Sequence, residues 1–137
     1  MKLLISTAVV ALVVASCWAA YTEKQQAELA DYIAKCAIEL KVTLGSDLLE
    51  RSKSGGNPFP DNENTKKFVV CFMTKTGVLM ADGTIATQKF IDFLAEGHDV
   101  NAITEVVEKC AKVEGDTPED KGYNFHKCFW AEKKFEL

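Results

Sequence analysis

Histidine, proline and runs of basic residues are scarce in this sequence. Its 137 residues include two histidines and three prolines, and the formal net charge is −4. No stretch of lysine or arginine with interleaved aromatics occurs. A chain of this charge does not neutralise phosphates, so nucleic acid is not expected as a partner. Anionic membrane surfaces are disfavoured for the same reason. Beyond the first few residues there is no apolar run near the roughly 20 residues that a membrane-spanning helix needs. No phosphate-binding loop and no Ser/His/Asp set is present. The cysteines are scattered, with no C-x2-C pair to suggest zinc. Internal repeats, low-complexity segments and N-x-[ST] sequons are missing as well. No catalytic residue, no metal and no cofactor is therefore expected, and the chain does not read as an enzyme.

Two constellations invite a catalytic or metal reading and fail it. His98-Asp99 is the dipeptide that secreted phospholipases A2 carry on a helix. Those enzymes also need adjacent cysteines and a Gly-rich calcium loop before it, and neither is here. The plainer reading is a turn at His98 with Asp99 capping the next helix. Asp82-Gly83-Thr84-Ile85 resembles the centre of an EF-hand. Val78 and Met80 stand where oxygen ligands are required, and Lys89 stands where the bidentate Glu belongs. The segment reads as a turn with Gly at positive φ. His126 lies one step from the Phe125/Cys128 stripe and reads as half exposed, either an ordinary surface histidine or a pH-sensitive latch.

What is there begins with a leader. Lys2 precedes an apolar run from Leu3 to Val14, broken only by Ser6 and Thr7, and small residues follow. This is a secretory signal peptide with cleavage expected after Ala19 or Ala20. The competing reading, a membrane anchor, asks for a longer run. Taking residues 1–19 as leader leaves one domain, 20–137, of 118 residues, enough for a modest core. The leader holds Lys2 and no acid, so the mature net charge is −5. It also takes Cys17 with it. Cys36, Cys71, Cys110 and Cys128 remain, and in an oxidising compartment two disulfides are expected. Four cysteines allow three pairings.

The pattern along the domain is helical. Thr22 with Gln25 matches a capping box, and Leu29, Ile33, Cys36, Ala37, Leu40 and Leu44 recur at helical spacing, with Gly45 as a stop. Ser46 caps a short second helix carrying Leu48 and Leu49. Ser52 to Pro60 is a loop. Phe68 to Met73 has the β-branched and aromatic content of a strand, but no second strand exists to pair with it, so a third helix is expected between Asn62 and Gly77. Phe90, Phe93 and Leu94 mark a fourth helix ending near Gly97. Val100, Ile103, Val106, Val107, Cys110 and Ala111 form the stripe of a fifth. After a break from Gly115 to Pro118, a sixth is expected to start at Asp120 or Asn124 and to carry Phe125, Cys128 and Phe129. The expected class is all-α, about six helices, each cysteine on its helix's apolar face.

The cysteine register resembles that of the insect odorant-binding proteins, the pheromone and general odorant-binding family. That family carries six cysteines, the second and third as C-x3-C and the fifth and sixth as C-x8-C. Cys36, Cys71, Cys110 and Cys128 match the first, third, fourth and sixth. The second would fall at Lys67 and the fifth at Glu119. These two are partners in the family, so their joint absence removes one bridge and strands no thiol, as in the four-cysteine minus-C subgroup. Lys75-Thr76-Gly77-Val78-Leu79 with Asp82-Gly83-Thr84-Ile85, and Tyr123-Asn124-Phe125-His126-Lys127-Cys128, are similar to the family's stretches after its third cysteine and before its last.

The resemblance implies bridges Cys36–Cys71 and Cys110–Cys128, and helices packed around an apolar cavity. It implies a secreted carrier of odorants, pheromones or other lipophiles, in sensillar lymph or haemolymph. A chemosensory receptor is the partner such a carrier would meet, and a monomer or weak dimer is expected. Phe72, Met73, Leu79, Met80, Phe90, Leu94, Phe129 and Trp130 are the candidate ligand-binding residues, with Phe135 and Leu137 as a lid. Each of these apolar positions has a plainer reading as core. The rival function is a secreted interaction protein of haemolymph, venom or saliva that binds a protein partner. Without a bridge between Lys67 and Glu119 the third and sixth helices are expected to part more freely. An ion pair between those two residues, if exposed, would contribute under about 1 kcal/mol.

Overall fold

The computed structural model describes residues 21–41 and 60–135. The leader, the second helix expected from Ser46, the stop at Gly45 and the tail residue Leu137 lie outside the described residues. Within them are five helices: α1 (Glu23–Leu40), α2 (Glu63–Lys75), α3 (Thr87–Ala95), α4 (Val100–Ala111) and α5 (Pro118–Glu132).

Each start follows from local chemistry. The first N–H groups of a helix have no partner inside it. Thr22 and Gln25 satisfy two of them reciprocally: Gln25 N–H donates to Thr22 Oγ1 at 3.1 Å, and Thr22 N–H donates to Gln25 Oε1 at 2.8 Å. Asn62 accepts from Thr65 N–H at 2.8 Å and Asp99 from Asn101 N–H at 2.9 Å. Phe68 to Met73 is helix, and α2 ends where Gly77 takes φ +78°.

Two boundaries differ from the sequence reading. α5 begins at Pro118 rather than at Asp120 or Asn124, with Thr117 as its cap. Pro118 was expected to break structure, but at the first helical position its fixed φ and missing N–H cost nothing. α1 stops at Leu40, four residues before the expected Leu44. Lys41 closes it in the left-handed conformation, φ +54°, donating to the carbonyls of Ala37 and Ile38.

Between α2 and α3 the chain makes a tight hairpin. Leu79 and Ile85 form an antiparallel bridge, and Asp82 accepts from Thr84 N–H at 2.9 Å. Gly83 turns it at φ +89°, where a Cβ would also stand 3.1 Å from the Pro118 backbone. The hairpin is seated on α5 through Gly122, whose missing side chain leaves room for Leu79: a Cβ there would come within 2.6 Å of its Cδ2.

The helices pack in the order α1, α2, α5, α4, α3. Gln25 closes the circuit. This buried glutamine donates through Nε2 to the Phe93 carbonyl, with a second, longer contact of 3.4 Å to the Glu96 carbonyl. It serves at once as the N-terminal box of α1 and as the acceptor-satisfying cap at the end of α3. Replacing one partner of a buried hydrogen bond strands the other at about 1–3 kcal/mol. Gln25→Leu is therefore expected to lower stability by roughly 2–3 kcal/mol, read from urea unfolding. An unchanged midpoint would show that water serves those carbonyls equally well.

Candidate functional site

Val69 and Met73 of α2, the hairpin's Val78, Leu79 and Ile85, and Ile91 and Leu94 of α3 form one apolar cluster. Ile103, Val106, Val107 and Cys110 of α4 and Tyr123, Phe125 and Phe129 of α5 complete it. Spacing dictates this: positions three and four apart on each helix face inward. The densest part is aromatic. Phe90 meets Phe129 edge-on at 5.0 Å and Phe125 at 5.7 Å. Phe129 also meets Trp130 at 6.2 Å and Phe135 of the tail at 6.1 Å. These are the offset and edge-on geometries that the ring quadrupole favours.

Of the residues singled out from sequence, the structure gathers six. Met73, Leu79, Leu94 and Phe129 are in the cluster, and Phe90 and Trp130 pack against it. Phe72 lies elsewhere, edge-on to Tyr32 of α1 at 6.3 Å. Met80 sits on the hairpin, 51% exposed. Phe135 is laid against Phe129 and, at 5.8 Å, against His98. Lys133 helps to hold the tail there, donating to the Phe135 carbonyl at 3.0 Å while its ammonium stands 4.9 Å from the Trp130 ring. Sequence reasoning passed over Tyr21, which packs on the cluster and whose hydroxyl burial pushes up to about 12. The only signal for it was its place just before the capping box.

His126, read as half exposed, is part-buried, with its Nδ1 shielded from solvent. Its ring lies between Tyr123, stacked at 6.4 Å, and Trp130 at 6.3 Å. Burial pushes its pKa down to about 4. In the unfolded chain the ring takes up a proton near pH 6.5. Between pH 6.5 and 4 the unfolded state thus binds more protons, and stability falls as pH falls. The contribution lost is on the order of 1–3 kcal/mol, and His126→Phe is expected to flatten this limb of a stability–pH curve. An unchanged slope would assign the acid sensitivity to other groups.

The polar groups gather where α2 meets α5. Lys66 pairs with Asp120. Lys67 and Glu119, one residue away on each helix, are both exposed. The Lys66–Asp120 pair holds the Lys66 ammonium above its ordinary range and the Asp120 carboxyl below its own. Asp61, just before α2, accepts from the Tyr123 hydroxyl at 2.7 Å and lies 3.8 Å from Lys127. Burial and the Asp61 charge together push Tyr123 up to about 12, so it stays a donor. A shallow polar recess beside Asp120, lined by Glu114, Asp116 and Asn124, completes this edge. Among the described residues no three His, Cys, Asp or Glu side chains are placed to hold a metal. No described helix is long and apolar enough to cross a membrane.

Disulfides join Cys36 to Cys71 and Cys110 to Cys128, the pairing that the resemblance implied. The first ties α1 to α2 and the second α4 to α5. Two bridges between packed helices around one apolar cluster make this a disulfide-stapled all-helical domain. The chain belongs to the PBP/GOBP family, whose model matches residues 18–132. No curated protein matches it. Among solved structures it is similar to the fatty acid binding protein OBP56a from the oral disk of the blowfly Phormia regina. The two are 27% identical over 85% of this chain and 96% of that one, with a TM-score of 0.59. It is also similar in fold to the odorant-binding protein dmelOBP28a of Drosophila melanogaster, 20% identical over 82% and 94% of the two chains, TM-score 0.64.

Proposed function

We propose that the chain is exported and carries small hydrophobic molecules, odorants, pheromones or other lipophiles, in the interior between α2, α3 and α5. The observation that carries this reading is the continuous aromatic face of Phe90, Phe125, Phe129 and Trp130 under a tail held by Phe135. Family membership supports it, as does the fatty acid binding named for the blowfly relative. The proposed lining is Met73, Leu79, Phe90, Leu94, Phe129 and Trp130, with Phe72 and Met80 at its margins and Phe135 and Leu137 as the lid.

The energetics set the kind of ligand. A micromolar Kd corresponds to about 8 kcal/mol. At about 25 cal/mol per Å² this asks for at least about 330 Å² of apolar surface removed from water, and more once the lost freedom of the ligand is offset. Long alkyl chains and terpenoids meet that, and very small volatiles do not. Selectivity then rests on the few polar groups at the rim. No bond is made or broken in such a task, and the chain needs no catalytic group for it.

The test is a titration of the oxidised mature chain, Tyr21–Leu137, with an environment-sensitive apolar dye, followed by displacement with fatty acids and volatiles. Saturable micromolar binding displaced by part of the panel is expected. A folded, correctly bridged protein without saturable binding would remove the carrier reading, and pull-down of protein partners would follow.

A further inference from the structure

The two disulfides tie four of the five described helices into two covalent halves. Cys36–Cys71 holds α1 with α2, and Cys110–Cys128 holds α4 with α5. All four described cysteines are used, so no bridge crosses from one half to the other among the described residues. The halves meet along α2 and α5. That joint carries an ordered set of charges. On the first half Asp61 is followed by Lys66, and on the second Asp120 is followed by Tyr123 and Lys127. The pairs run in opposite order along the two helices: Lys66 with Asp120, Asp61 with Tyr123 and Lys127.

We propose that this joint is an ionic clasp, a salt-releasable fastening between the two stapled halves whose opening exposes the apolar interior they share. The pairing order permits one register and penalises others. A slide along the helices would bring Lys66 toward Lys127 or Asp61 toward Asp120. The surrounding charges sharpen this. Glu63 and Glu119 both act on the Lys66 ammonium, so it is the cation among a set of acids drawn from both helices. Thr117 supplies Asp120 with a hydroxyl, and Lys121 lies on the far side, toward Asp82. Lys127 is braced over the Tyr123 ring at 4.9 Å. A disulfide in such a place would hold at any ionic strength. Charge pairs that are partly open to solvent, as these are, weaken as the Debye length shrinks from about 30 Å at 0.01 M salt to about 3 Å at 1 M.

The same two helices bring Val69 and Met73 of α2 and Phe125 and Phe129 of α5 into the apolar cluster. Parting the halves there is a route into the core that leaves both disulfides intact. The clasp rests on the carrier reading only for its use, as a gate for ligand entry, and its existence is tested without a ligand.

The experiment is hydrogen exchange on the ligand-free, oxidised mature chain at 0.01 M and 1 M sodium chloride. It is run on the unaltered protein and on Lys66→Met and Lys66→Glu. In the unaltered protein, exchange of the α2 and α5 amides should rise about threefold or more with salt, while α4 amides stay unchanged. Lys66→Met should exchange faster at low salt and show a smaller rise with salt, since the Asp61–Lys127 pair remains. Lys66→Glu, which sets a fourth acid among Glu63, Glu119 and Asp120, should exchange faster still at low salt and slow as salt screens the repulsion. Equal exchange at both salts in the unaltered chain would overturn the proposal, and this arm stands even if a variant fails to fold. So would a uniform rise across α1, α4 and α5, which is a change in global stability. Salt-dependent exchange in a protein that binds no dye would keep the clasp and remove the carrier.

Discussion

Phe129→Ala is expected to lower stability by about 3–5 kcal/mol, the largest loss any single side chain of this domain should show. Phe129 is 2% exposed and is the one ring that touches Phe90, Phe125, Trp130 and Phe135 together. Truncation removes its transfer energy and leaves a hole bounded by elements that cannot all collapse inward. α5 is tied through the neighbouring Cys128 to α4, and α3 is fixed at its end by Gln25. Against a typical total of 5–15 kcal/mol, such a loss brings the protein close to unfolding. A fall in Tm of roughly 15 °C or more is expected. The same experiment separates core from cavity wall. If Phe129 lined a binding space, truncation would enlarge that space and change dye affinity strongly, whatever its cost in stability. A large stability loss with dye affinity kept by the folded fraction would put the binding surface nearer Leu79, Leu94 and Trp130.

Much of this was readable from residue spacing because it depends on local chemistry. The capping box at Thr22, the caps at Asn62 and Asp99, the stop at Gly77 and the turn at Gly83 each need only three or four neighbouring residues. The helical reading of Phe68–Met73 also held, since it followed from backbone satisfaction rather than from propensity. What failed was local but double-valued. Pro118 ends one helix pattern and opens another, and Lys41 closes α1 in a conformation for which glycine is the usual sign. What escaped altogether was long-range. Gln25 looks like half of a capping box, and nothing nearby announces that its amide also serves carbonyls on α3, 68 residues away. The cross-helix ion pair forms not between Lys67 and Glu119 but one residue away on each helix, at Lys66 and Asp120. A shift of one position turns a side chain about 100° around the helix, which decides whether it faces the partner helix or the solvent. The candidate lining follows the same division: periodicity places six of eight residues inward, while Phe72 and Met80 depend on what happens to lie opposite.

Opening the Cys36–Cys71 bridge should cost about as much as losing Phe129, but in a different part of the molecule. The bridge closes a separation of 35 residues against 18 for Cys110–Cys128. On the chain-entropy model these are worth about 4 and about 3 kcal/mol, too close to tell the bridges apart by size. Location tells them apart. α4 and α5 share Ile103, Val106 and Val107 with Phe125 and Phe129 in one apolar cluster, so they should stay together after Cys110 and Cys128 are replaced. Only Gln25 and Cys36 of α1 are fully buried, and Ile38 is 79% exposed. Besides the bridge, α1 packs along α2, with the Tyr32–Phe72 ring contact and an exposed Glu39–Lys75 ion pair among their contacts. Exposed pairs of that kind contribute little. The double variant Cys36→Ser, Cys71→Ser is thus expected to unfold in two stages. α1 should exchange its amides early while α4 and α5 remain protected, with Gln25 no longer able to hold the end of α3. The double variant Cys110→Ser, Cys128→Ser should lose a similar amount of stability and still unfold in one step. Amide exchange resolved by helix decides it: protection of α1 that survives loss of its bridge would mean that packing, not the disulfide, holds α1 in place. The division of the fold into two stapled halves would then be a description of covalent bonds only.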